Sequence, residues 1–84
     1  MKMKLYIISQ EVNTGYDTYD SAVVAAESEE DAKTIHPGGE TEPVREIDRH
    51  FYEWCGLAHV KVELIGVAVK GTKRGVIVAS YKAG

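Results

Sequence analysis

Between Met3 and Gln10 the chain alternates, with Met3, Leu5 and Ile7 on one side and Lys4, Tyr6 and Ile8 on the other. A period of two predicts a strand, and two largely apolar sides predict one that lies centrally in its sheet. Asn13-Thr14-Gly15 interrupts the pattern. Asn and Gly tolerate the positive φ that tight reversals need, so a turn is expected there. A second strand follows from Tyr19 to Ala26, with Val23 and Val24 at its middle. Ser28 then opens a helix: it is a good N-cap, and Asp31 stands three residues on, where a capping box has its acid or amide. Glu29, Glu30 and Asp31 occupy the first turn, which the helix macrodipole favours for anions. Helix initiation therefore explains the acidic cluster. Ala32 and Ile35 give the helix an apolar edge and His36 falls in its last turn. Pro37 ends it, because the residue before a proline is pushed out of the α region.

Gly38 to Glu42 reads as a loop. From Pro43 to Cys55, the apolar residues Val44, Ile47, Phe51, Trp54 and Cys55 recur at spacings of three, four, three and one. That is a helical stripe, with Pro43 suited to its first position and Gly56 to its stop. The crowding of Phe51, Tyr52 and Trp54 leaves a loop with one helical turn as the alternative. Val60 to Lys70 predicts a third strand, in which Val60, Val62 and Leu64 alternate with Lys61 and Glu63. The phase then slips to Ile65, Val67 and Val69, and a one-residue slip beside Gly66 is what a β-bulge produces. "GTKRG", Gly71 to Gly75, makes a second turn before a last strand from Gly75 to Tyr81. The expected fold class is α+β, in the order ββα(α)ββ. Two hairpins form a mostly antiparallel four-stranded sheet, and one or two helices pack on one face. No internal repeat or low-complexity linker divides residues 1–84, which read as one domain.

Size and charge narrow the function more than the fold. A chain of 84 residues buries about two-thirds of the surface its unfolded form exposes. It cannot easily enclose a deep cofactor pocket and keep a core, so no cofactor is expected. With 44% hydrophobic and 27% charged residues, the composition is that of an ordinary globular domain. A net charge of −3 argues against nonspecific nucleic-acid binding, which runs on clustered Lys and Arg, and equally against a DNA mimic. Cys55 is the single cysteine, so no intramolecular disulfide forms and a reducing compartment is expected. The opening "MKMKLYIIS" carries two lysines before an apolar run, but Leu5 to Ile8 is far shorter than a signal h-region of roughly 7–15 residues. No stretch approaches the ~20 apolar residues of a membrane span. These features together point to a cytoplasmic protein.

The candidate sites weigh out differently. His50, Cys55 and His59, with His36 as a fourth, are the right types for zinc, yet no CxxC or HExxH spacing joins them. On a helix His50 and Cys55 would stand about 140° apart. A nucleophilic Cys55 would need a positioned base and an oxyanion hole, and no motif supplies them. An enzyme is not expected. "HPGGE" follows a helix instead of preceding one, so no helix N-terminus is aimed at an anion. "KGTKRG", Lys70 to Gly75, is the basic cluster, and it reads first as a solvated turn. Tyr16 and Tyr19 flank Asp17 and Asp20. Tyrosine and tryptophan bury large areas at little entropic cost and keep a polar handle, which suits them to interfaces. Tyr19 reads as packed on the sheet, whereas Tyr16 and Asp17 at the loop tip read equally as turn closure and as contact surface.

Three segments stand out together: "YDTYDSAVVAAESEEDAKTIHP" from Tyr16, "VKVELIGVAV" from Val60 and "RGVIVASYKAG" from Arg74. On these the chain resembles, over nearly its whole length, a family of small uncharacterised bacteriophage proteins. No activity carries over with it. It implies a phage accessory protein in the cytoplasm of a host bacterial cell, and small proteins of that sort are often inhibitors of host defence or host enzymes. The leading expectation is a non-enzymatic protein that blocks a host protein by binding it, with about 800 Å² of contact on each side. Its contact residues would be Tyr16, Asp17, Glu40, Glu42, Arg45 and Trp54. The alternative is an oligomer, in the simplest case a homodimer, that sequesters a small ligand or nucleotide at a subunit interface. There Tyr52 and Trp54 would stack on the ligand while Lys73 or Arg74 held its phosphate.

Overall fold

Residues 2–39 and 54–82 are described by the computed structural model. The first strand, β1 (Lys4–Ser9), and the second, β2 (Thr18–Ala26), pair antiparallel as a hairpin in register Ile8↔Ala22 and Tyr6↔Val24. β3 (Lys61–Val67) adds to the free side of β1, and β4 (Gly75–Lys82) adds to the free side of β2. The result is an open, wholly antiparallel sheet of order β3-β1-β2-β4. β1 is central, as its two apolar sides require.

One side of the hairpin carries Tyr6, Ile8, Ala22, Val24 and Ala26. These residues meet Ala32, Ile35, Trp54, Cys55 and Val60 in the core. Because strand side chains alternate between faces, Leu5, Ile7 and Val23 point the other way, where they are half-buried. A shallow groove runs there over Ile7, Val23 and Val78.

The helix α1 (Glu29–Lys33) begins as read. Ser28 Oγ accepts from the Asp31 N–H at 3.1 Å, and the Asp31 carboxylate accepts from the Glu27 N–H at 3.2 Å. It ends three residues short of His36. Pro37 has no N–H to give the Lys33 carbonyl. The chain tightens instead, with Ile35 N–H bonding the Ala32 carbonyl and the Thr34 hydroxyl donating to the Asp31 carbonyl at 2.8 Å. The helix expected from Pro43 to Cys55 falls almost wholly on residues 40–53, outside the described residues. Trp54 and Cys55 are not helical, and Gly56 leads into a single 3-10 turn at Leu57–His59.

The expected bulge is present. Leu5 pairs Gly66 while Tyr6 pairs Leu64, so Ile65 is the extra residue. Register shifts opposite β4 leave Asp20 and Ile77 extra as well. The second hairpin, however, does not form. β3 and β4 lie on opposite edges, and residues 68–74 cross the end of the sheet between them. The glycine turn does close, with Thr72 N–H bonding the Val69 carbonyl at 3.1 Å and Gly71 at φ 94°. Arg74 then reaches Asp31 at 2.8 Å and the Thr34 hydroxyl at 2.9 Å. Those bonds deliver the chain to α1 and to the unpaired edge of β2, not back along β3.

Candidate partner-binding surface

The loop between β1 and β2 is organised around Gln10, which is only 3% exposed. Its Nε2 donates to the carbonyls of Asn13 at 2.6 Å and Tyr19 at 2.9 Å. Its Oε1 accepts from the N–H groups of Val12 at 2.9 Å and Asn13 at 2.7 Å. Asn13 Nδ2 donates in turn to the Trp54 carbonyl at 2.7 Å, tying the loop to the segment that enters the core. One buried amide thus satisfies backbone groups that would otherwise be stranded.

The tip of the loop is presented by this frame. Thr18 Oγ1 donates to the Gly15 carbonyl at 2.6 Å, and Asp17 takes the left-handed conformation at φ 61°. Aspartate tolerates that region better than most residues. The Asp17 N–H donates to the Lys82 carbonyl at 2.6 Å, and the Tyr81 hydroxyl donates to the Asp17 carboxylate at 3.4 Å. Lys82 Nζ lies 5.6 Å from the centre of the Tyr16 ring and bonds the Thr14 carbonyl at 3.4 Å. Tyr16 remains 72% exposed. Beside it Tyr81 packs on Tyr19 with ring centres 4.7 Å apart, and Tyr19 meets His36 edge-on. A groove lined by Thr14, Thr18, Asp20, Ser80, Tyr81 and Lys82 runs beside it. The loop tip thus presents an exposed aromatic ring with a cation nearby, a carboxylate, and the edge of a strand.

Of the residues singled out in the sequence, Tyr16 and Asp17 are brought together and exposed. Glu40, Glu42, Arg45 and Tyr52 lie outside the described residues. Trp54 needs correcting: it is 0% exposed and sits in the core, so it is not contact surface. It shares that core with the small side chains of Ala22, Ala26 and Ala32, among which a large ring supplies volume that they do not. Arg74 also needs correcting, since its guanidinium is committed to Asp31 and Thr34 and is not held out for a phosphate. Lys73 is exposed. Tyr81 and Lys82 were missed. Only the pairing of Thr18 with Lys82 brings them to the loop, and no local signal announces which strand β4 will join.

Cys55 and His36 are buried while His59 is exposed, and among the described residues no group of three His, Cys, Asp or Glu side chains is placed to hold a metal. Among the same residues no helix is long and apolar enough to cross a membrane. Compared with known proteins, the chain matches no family model, no curated protein and no solved structure.

Proposed function

We propose that the protein acts by binding another protein, using Tyr16, Asp17, Tyr81 and Lys82 together with the adjoining edge of β4. The observation that carries this reading is Tyr16 itself, a large ring left exposed on a loop that Gln10 and Asp17 hold in one conformation. An aromatic anchor ordered before binding loses little entropy on binding, which is what interface hot spots have in common. The edge of β4 extends the surface. Gly75 to Tyr81 contains no charged residue, and Ile77 and Val78 are exposed along it. Natural edges are commonly guarded by charge along their length, and here the one lysine stands at the end of the strand, so the apolar stretch before it is suited to accept a strand from a partner. The resemblance to bacteriophage proteins makes a host bacterial protein the partner we favour, with inhibition as the consequence. Ligand sequestration ranks second, because two of the residues it would use, Trp54 and Arg74, are occupied within the chain.

Affinity purification of the tagged protein from a bacterial host tests this directly. One stoichiometric host protein is expected with the wild type. Tyr16→Ala should weaken its retention by about thirtyfold, a hot-spot-sized loss of about 2 kcal/mol, without changing the melting temperature. Retention of the same protein unchanged by Tyr16→Ala and Lys82→Glu would assign the contact to another surface, and no retained protein would overturn the reading.

A further inference from the structure

We infer that the opposite edge, β3, is a self-association surface whose occupant is a second copy of this chain, paired antiparallel about Val62. The inference stands independently of the partner proposed for β4. Beyond Glu63 the β3 edge exposes Leu64 at 53%, Ile65 at 46% and Val67 at 61%. Before them Lys61 and Glu63, two residues apart, stand on one face with opposite charge.

That spacing is self-complementary. In a twofold antiparallel pairing centred on Val62, Lys61 stands opposite Glu63 of the second copy, and Glu63 opposite its Lys61. On the other face Val62 comes opposite the second copy's Val62, with each Leu64, 53% exposed, beside the pair. Opposite charges directly across an antiparallel pair attract, and like charges repel. The bulge at Ile65 lies just past this window, so the strand is regular from Lys61 to Leu64. Lys61 also meets Glu11 of its own chain at 3.1 Å, but an ammonium has three protons to give and serves both carboxylates.

The same operation on β4 is unfavourable. It would bring Lys82 toward the start of the second copy's strand, where Lys73 stands, setting cation against cation. A second copy therefore fits β3 and not β4. Because the two edges are opposite sides of the sheet, the dimer forms one continuous eight-stranded sheet that leaves both Tyr16 surfaces open.

The test is sedimentation equilibrium of the full chain, made in a Glu11→Gln background so that the intrachain pair does not enter. A concentration-dependent dimer is expected. Lys61→Glu and Glu63→Lys, which change exposed residues and should leave the melting temperature alone, each set like charges opposite one another twice. Each should raise the dimer dissociation constant about tenfold or more. The double reversal Lys61→Glu/Glu63→Lys should restore it. Should either single variant fold poorly, the neutral Lys61→Gln/Glu63→Gln chain replaces it: its dimer should lose the salt sensitivity that screening imposes on exposed charges between about 0.05 and 0.5 M. A monomer up to about 1 mM, where even weak association shows, would overturn the inference. So would a dimer indifferent to the single reversals, or one that the double reversal fails to restore.

Discussion

Residues that share a chemical type divide here by what surrounds them. Trp54 and Tyr16 are both large aromatics, yet one fills the core and the other stands in water. Trp54→Ala should cost about 3–5 kcal/mol in urea unfolding, as expected for emptying an aromatic site. Trp54→Phe should cost clearly less, because the indole N–H meets no acceptor among the described residues, and removing it strands nothing. Equal losses for the two would mean that the indole edge is bonded after all. Asp17 offers the second test at this scale. Its φ of 61° suits Asn nearly as well as Asp, whereas a β-branched side chain there meets the left-handed penalty of about 1–2 kcal/mol. Asp17→Asn should therefore be near neutral and Asp17→Val destabilising by that amount in the same assay; equal stability would show that the loop relaxes. The exposure of Tyr16 and Asp17 was legible because Gly15 marks a turn and turns are exposed. Gln10 was not. It reads as the polar end of a strand, and its role exists only once the loop has folded over it.

Among the elements, the start of the helix was legible and its end was not. Ser28 and the acids behind it form a local chemical signal that needs nothing from elsewhere in the chain, and the helix begins there. Its end depends on the missing N–H of Pro37 and on Thr34 bonding backward, which shortened it to five residues. The bulge beside Gly66 could be read because Val60 to Val69 is strongly patterned, so a slip of one residue is visible. Ile77 falls within a uniformly apolar run, Val76 to Ala79, and Asp20 within Thr18 to Ser21, where no apolar alternation exists to reveal a slip. Asp31 is the point at which two elements meet, since it caps α1 and also receives Arg74 at 2.8 Å from the start of β4. Ser28→Ala should cost about 1 kcal/mol, a cap alone. Asp31→Ala should cost more, by the modest worth of a partly exposed ion pair, about 0–1 kcal/mol. With Arg74→Ala it should be less than additive, which a double-mutant cycle by thermal unfolding would measure. Full additivity would mean that the ion pair does not couple the two elements.

The sheet as a whole has the expected number of strands but not the expected neighbours. A glycine-bearing turn between two strand patterns is the ordinary signal of a hairpin, and the turn at Gly71 obeys it locally. What sends β4 to the far edge is the anchorage of Arg74 and the long free edge of β2, neither of which is a property of the turn. The order of the strands also has a meaning in time. The hairpin joins residues as near in sequence as Ser9 and Ser21, whereas β3 brings Lys61 back to Ser9 and β4 brings Lys82 back to Thr18. The short closure is the cheaper one entropically, and each long closure requires a strand of the hairpin as its template. Val24→Ala should then slow refolding, whereas Val62→Ala should chiefly hasten unfolding, in stopped-flow chevrons. The reverse would place β3 in the nucleus. If the expected order holds, each edge strand is a late arrival on a finished template, and the last third of the chain is the part whose folding waits on the first.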